Sequence, residues 1–240
     1  MQSLRRPYRV SLPMVVLVGM VPVYVFIPGF ATGRAVYVPE VAWDRLLPLQ
    51  PVWGLIYGAL YLFLILLPVF TVRAPEHLRR TVLAYLLVWT TAYVFFFFYP
   101  TAAPRPETLS GEGFAVWSLR FLYDADPPYN CFPSLHVAHS CVGALAAYRV
   151  HRTVGIIALV CAALVGLSTL FIKQHYILDV VAGALLALLA YALLLRTAPR
   201  DEIPELDRRL APVFALGILG IASLGTAGAW IAYQLKDAVR

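Results

Sequence analysis

Apolar residues in this chain come in long runs separated by short clusters of Arg, Pro and polar residues. They follow neither the alternation of a half-buried strand nor the single stripe of a surface helix. The breaks place seven helical spans near 11–29, 52–72, 81–99, 134–150, 153–172, 176–195 and 210–235. Several approach or exceed the roughly 20 residues a helix needs to cross a bilayer. Backbone groups cannot stay unpaired in hydrocarbon, and the period-2 pattern of a membrane barrel is absent, so the runs must be helices. The expected fold class is an all-α polytopic membrane protein, with residues 1–240 as one integral membrane domain.

Two connecting segments are long, 30–51 and 100–133. In the first, Glu40 to Leu47, between Pro39 and Pro48, fits a short helix. In the second, Phe114, Trp117, Arg120, Phe121 and Tyr123 mix aromatic and basic side chains, as an element at the membrane interface does. An interfacial anchor and a substrate lid both fit it. Gly217, Gly220, Gly225 and Gly228 make the last span permissive for close helix packing. The first run, Leu12 to Phe26, follows Arg5, Arg6 and Arg9 like a signal peptide, but no small-residue cleavage site comes after it, so it reads as an uncleaved span.

Composition agrees: 61% of residues are hydrophobic and 13% charged. The net charge of +6 does not imply nucleic acid, because the basic residues form no continuous stripe or arm. They act instead as topology signals. With a cytoplasmic N-terminus, inner segments hold Arg5, Arg6, Arg9, Arg73, Arg79, Arg80, Arg149, Arg152, Arg196, Arg200, Arg208 and Arg209. Outer segments hold Arg34, Arg45, Arg105, Arg120, Lys173, Lys236 and Arg240, which satisfies the positive-inside bias. The three cysteines, Cys131, Cys141 and Cys161, imply no disulfide framework.

Titratable groups at membrane-buried helix ends are costly and are default functional candidates. Here they gather at the outer ends of the spans. His175 and Asp179, four apart, share one helix face; the carboxylate can hold one ring nitrogen and leave the other free as a nucleophile, or the two can satisfy each other as a structural pair. Pro133 and Ser134 carry helix-start signals, and helix N-terminal amides suit phosphate. His136 stands beside that cradle, placed to protonate a leaving oxygen. One turn on, His139 reads as a polar residue hydrogen-bonded in the bundle. Arg105 suits bidentate phosphate binding or contact with a lipid headgroup. His77 and His151 fall in inner loops and read as solvated.

Together these residues resemble the type-2 phosphatidic acid phosphatase superfamily, whose motifs run K-x-x-x-x-x-x-R-P, P-S-G-H and S-R-x-x-x-x-x-H-x-x-x-D. Arg105-Pro106 matches the first, with Phe98 at the lysine position. Pro133-Ser134-Leu135-His136 matches the second, with Leu135 for glycine. The third survives as Ser168-Thr169, His175 and Asp179, with Thr169 for arginine. The stretches Tyr99 to Pro106, Phe132 to His136 and Lys173 to Asp179 look closer to the inositol phosphorylceramide synthase-like branch. The likeness spans about 35–195, a six-helix core that leaves the seventh, C-terminal span outside.

The resemblance implies a metal-independent lipid phosphatase or phosphotransferase without cofactor. His175 would form a phosphohistidine, Asp179 orient it and His136 protonate the leaving alcohol, while Arg105, Lys173 and the amides near Ser134 hold the phosphate oxygens. Substrate and acceptor would be a lipid phosphate and a lipid alcohol or water. The active site would lie on the outer, extracytoplasmic side of an inner or plasma membrane. Two rivals stand beside it: a zinc enzyme with His136, His139, His175 and Asp179 as ligands, and a non-enzymatic lipid-phosphate carrier.

Overall fold

The structure, a computed structural model, describes residues 12–31, 33–126 and 128–238. Arg5, Arg6, Arg9, Arg240 and the start of the first span lie outside the described residues, as does the Lys236 side chain. Eight α-helices follow in order: α1 Leu12–Phe26, α2 Trp53–Thr71, α3 Pro75–Phe98, α4 Phe114–Ala125, α5 Leu135–Val150, α6 Arg152–Phe171, α7 Ile177–Ala190, extended by a π turn Tyr191–Leu195, and α8 Glu205–Ala238. Short 3-10 turns cover Ile27–Ala31 and Ala42–Leu46. Among the described residues there is no strand, only isolated bridges joining Tyr37 to Thr101 and Thr101 to Asn130.

Among the described residues five helices are long and apolar enough to cross a membrane: α2, α3, α6, α7 with its π turn, and α8. The protein is an all-helical integral membrane protein. Each expected span recurs as a helix; α5 has 16 residues, short of a full crossing, and α1 has 15 among the described residues. The interfacial segment is α4, whose Leu119 covers Gly54 of α2 and whose Phe114 and Trp117 meet Tyr233 of α8.

The sequence of α5 shows no apolar stripe because the helix is enclosed, packed against α2, α3, α6 and α7 with most of its residues buried. Lipid tails are as apolar as Leu, so such packing gains little from water exclusion and depends on close van der Waals contact. Small residues supply it: Ala138, Ala144, Ala146 and Ala147 are buried on α5, and Ala158 and Ala162 on α6. The α5–α6 hairpin is correspondingly tight. His151 ends one helix and caps the next by accepting from the Val154 amide at 3.3 Å, and a Cβ on Gly155 would lie 2.1 Å from Tyr148 Cα.

Two expectations fail. His77 is buried, not solvated, because α3 starts at Pro75, six residues before the expected start, which brings the ring inside the bundle. The α8 glycines do not mediate close packing: a Cβ on Gly217, Gly220, Gly225 or Gly228 would meet nothing within 4 Å. The buried stripe on α8 is Ala211, Ala215, Ile218 and Ala222 instead.

The close approach that matters for the histidine pair is between α7 and the start of α5. A Cβ on Gly183 would stand 2.4 Å from the Ser134 carbonyl oxygen. Gly183→Ala is therefore expected to destabilise the protein by about 1–3 kcal/mol. Gly225→Ala, facing open space, is expected to be neutral or stabilising by up to about 1 kcal/mol through helix propensity. Thermal unfolding of the two variants in detergent checks the contrast; equal stability would show that the α5–α7 approach tolerates the methyl.

Candidate active site

Ser134 initiates α5 as expected, its Oγ accepting from the Val137 amide at 3.3 Å. Its own amide donates to the Asp179 carbonyl at 3.0 Å. The first turn of α5 is thereby tied to the first turn of α7. That tie sets the two histidines together: His136 Nδ1 lies 3.1 Å from His175 Nε2. Behind His175, its Nδ1 lies 3.4 Å from Asp179 Oδ2, which also accepts from the Tyr176 amide at 2.8 Å. A carboxylate only accepts, so Nδ1 of His175 carries the proton and Nε2 presents its lone pair to the Nδ1–H of His136. His175 and Asp179 are fully enclosed, and Tyr57 and Tyr61 stand edge-on to the His136 ring at 5.6 and 5.1 Å.

The turn carrying His175 is fastened from outside the bundle. Asp44, in the 42–46 turn, accepts from the Ile177 amide at 2.9 Å, capping α7 from another part of the chain. Lys173 takes a left-handed conformation (φ 55°), and its ammonium donates to the carbonyls of Leu47 at 2.7 Å and Asp44 at 3.3 Å. The Gln50 amide donates to the Phe171 carbonyl at 2.9 Å, and the Tyr123 hydroxyl to that of Ile172. Lys173 therefore secures the turn from its outer side, and its ammonium is not directed at the histidine pair.

Arg105 is nearly enclosed, which disfavours simple headgroup contact. It stacks over the Tyr123 ring at 4.5 Å and donates through Nη1 to the carbonyls of Tyr123 (3.1 Å) and Asp126 (2.6 Å), closing the C-terminal end of α4. Its Nε is buried with no partner among the described residues. An unpaired guanidinium N–H in a buried site is costly unless a guest anion completes it.

Sequence reasoning missed Asp126. Its Oδ2 lies 3.4 Å from Arg105 Nη2, 3.3 Å from Gln174 Nε2 and 3.9 Å from His136 Nε2, and its Oδ1 accepts from the Tyr24 hydroxyl at 2.7 Å. No motif spacing announces these partners, which come from four separated stretches of chain. The position just after the aromatic, amphipathic α4 was the available signal.

The two positions without the family cations hold neutral residues. Phe98 is exposed, and Thr169, buried, spends its hydroxyl on the Gly166 carbonyl of its own helix at 2.7 Å. The four-ligand zinc set does not assemble, because His139 turns into the bundle, accepts from Trp89 Nε1 at 3.2 Å and stacks on Tyr85. Among the described residues the grouping that could hold a metal ion is Cys131, His175 and Asp179, with ligand atoms within 4.8 Å of one another. The Cys131 thiol donates to the Pro128 carbonyl, and burial, with Asp179 adding to it, pushes the thiol pKa well up.

Comparison with known proteins places this site in a family. A PA-phosphatase related-family protein of Dictyostelium discoideum is 26% identical over 130 residues, covering 49% of this chain and 23% of that protein. The match thus spans about a quarter of that relative's length. No solved structure matches. The sequence profile of the PAP2 superfamily matches residues 46–193, which include Arg105, Ser134, His136, His175 and Asp179. With more than half of its length inside that profile, the chain belongs to the PAP2 superfamily.

Proposed function

We propose that the protein is a membrane-embedded lipid phosphate phosphatase or phosphotransferase that works through a phosphohistidine at the outer membrane face. The observation that carries this reading is the 3.1 Å His136–His175 contact with Asp179 behind the second ring. With a phosphate between the rings, the freed lone pair of His175 Nε2 attacks phosphorus, the P–O bond to the lipid alcohol breaks, and His136, protonated as an imidazolium, gives a proton to the departing oxygen and becomes neutral. Water or a second lipid alcohol then attacks the phosphohistidine, His136 takes its proton, and the P–N bond breaks. Asp179 holds the His175 tautomer throughout. Phosphoryl transfer needs mostly alignment and neutralisation of spread charge, for which Arg105 and the amides after Ser134 are placed. Lys173 contributes by securing the turn that bears His175.

The transferase form, an inositol phosphorylceramide synthase-like headgroup transfer, is favoured by the charge of the site. With Phe98 and Thr169 where the family has cations, and with Asp126 nearby, the site suits a singly charged phosphodiester better than a doubly charged monoester. Exclusion of water and seating of the acceptor decide between hydrolysis and transfer. A lipid-phosphate carrier would need the same anion seat but no nucleophile, and the buried His175–Asp179 pair favours the enzyme.

His175→Ala is expected to abolish turnover, and Asp179→Asn to leave weak activity through a misoriented ring. Assays on a panel of labelled phospholipids, with and without alcohol acceptors, test this together with adduct trapping at alkaline pH, where phosphohistidine survives. Near-normal turnover by His175→Ala would remove the mechanism. Turnover is also expected to persist in excess EDTA; loss with rescue by zinc would point to the Cys131 grouping instead. For sidedness, a cysteine at exposed Thr108, in a background without native cysteines, is expected to react with an impermeant thiol reagent on intact cells. Labelling only after lysis would move the site to the cytoplasmic face.

A further inference from the structure

Asp126 holds a position that the proposed reaction needs for something else. An anion in contact with Arg105 and His136 is what a phosphate at this site would be, and the Asp126 carboxylate already stands between them. We propose that Asp126 sets the charge of ester the site accepts: its fixed carboxylate shares the phosphate-binding donors, so a singly charged phosphodiester is taken and a doubly charged monoester is rejected. The inference deepens the phosphoryl-transfer reading and rests on it.

The carboxylate is anchored on more than one side. Tyr24 of α1 donates to Oδ1 at 2.7 Å, Gln174 and Arg105 approach Oδ2, and Arg105 also grips the Asp126 main-chain carbonyl at 2.6 Å. Swinging it away would break bonds to three other side chains, so it stays beside the substrate. It does not orient His136 as Asp179 orients His175: at 3.9 Å, His136 Nε2 is beyond hydrogen-bond reach, and Asp126 acts on the ring through charge alone.

What remains for the substrate is the Arg105 edge carrying the unpartnered Nε, together with the His136 ring. A phosphate seated there lies next to the Asp126 carboxylate. Each negative charge it carries is then repelled at short range in a site shielded from water. Arg105 offsets one charge, and the cations that would offset a second are replaced by Phe98 and Thr169. Loss of two positive groups and retention of a nearby carboxylate point the same way.

The test compares wild type, Asp126→Asn and Asp126→Glu, each purified in detergent and checked for monodispersity. Two readouts are taken: binding of inorganic phosphate by isothermal titration, and kcat/KM for a diacylglycerol phosphomonoester and a diacylglycerol phosphodiester with the same acyl chains. Asp126→Asn is expected to bind phosphate at least about tenfold more tightly and to shift the monoester-to-diester ratio at least about tenfold toward the monoester, about 1.4 kcal/mol in each case. Asp126→Glu is expected to keep the wild-type ratio. A monodisperse Asp126→Asn protein with phosphate affinity and ratio unchanged overturns the proposal, as does equal loss of both substrates without tighter phosphate binding, which would mark a structural role. Should Asp126→Asn fail to fold, Asp126→Ala, which also removes the carboxylate charge, is read by the same measurements with the same direction expected, and no shift overturns the proposal. If wild type turns over neither ester, the enzymatic reading falls, and phosphate titration alone decides on Asp126.

Discussion

The bond from the Ser134 amide to the Asp179 carbonyl, made where α7 carries a glycine against the start of α5, is the contact on which the histidine end of the molecule depends. It joins the first turns of two helices that begin about 40 residues apart in sequence. With those turns joined, His136 and His175 face each other; without them, each histidine would be a polar group at a separate helix end, costly in an apolar setting. The 42–46 turn, Gln50 and Tyr123 then fix the loop before α7 from the other side. Rigidity of the pair is thus a property of the packed outer segments, since α5 and α7 alone would leave the 171–177 turn held at one end.

Much of the fold was legible because the bilayer constrains it so strongly. Every long apolar run became a helix, and the amphipathic, aromatic stretch after residue 113 became α4. The apolar run was interrupted at α5, where a helix enclosed by protein can carry His136, His139 and Ser140 at no cost to lipid contact. The misreading of His77 came from the same source. Charged residues beside it suggested a loop, whereas Glu76 pairs with Arg79 and Arg80 at the rim of a helix that had already begun at Pro75. The small residues of α8 misled differently: composition tells that a helix can pack closely, but not which of its faces does.

The histidine site was partly legible for a geometric reason. His175 and Asp179 are one helical turn apart, and Ser134 and His136 are local to one helix start, so spacing alone could relate them. Asp126, Gln174 and Tyr24 meet through tertiary packing, and no local period connects residues 24, 126 and 174. Lys173 shows the converse. Two residues from a catalytic candidate, it looked like a replacement cation, yet the left-handed turn at that residue sends its ammonium to the outer carbonyls. Proximity in sequence at a turn says little about direction.

These placements bear on which parts of the chain make up the working unit. The family profile covers 46–193, but Tyr24, which holds Asp126, and Asp44, which caps α7, lie before it. The first helix is further tied to the site's framework by Asn130, whose Nδ2 donates to the Tyr24 carbonyl at 3.0 Å, and by Tyr93, whose hydroxyl donates to the Met20 carbonyl at 2.7 Å. A site assembled only from the matched residues would contain His136, His175, Asp179, Arg105 and Asp126, with the Asp126 carboxylate released at Oδ1 but still held at Oδ2 by Arg105 and Gln174. The electrostatics around phosphorus would then differ although every motif residue was in place. Under the proposed charge selection, part of what holds the Asp126 carboxylate and the α7 turn therefore comes from segments that precede the shared core, where the family motifs exert no constraint.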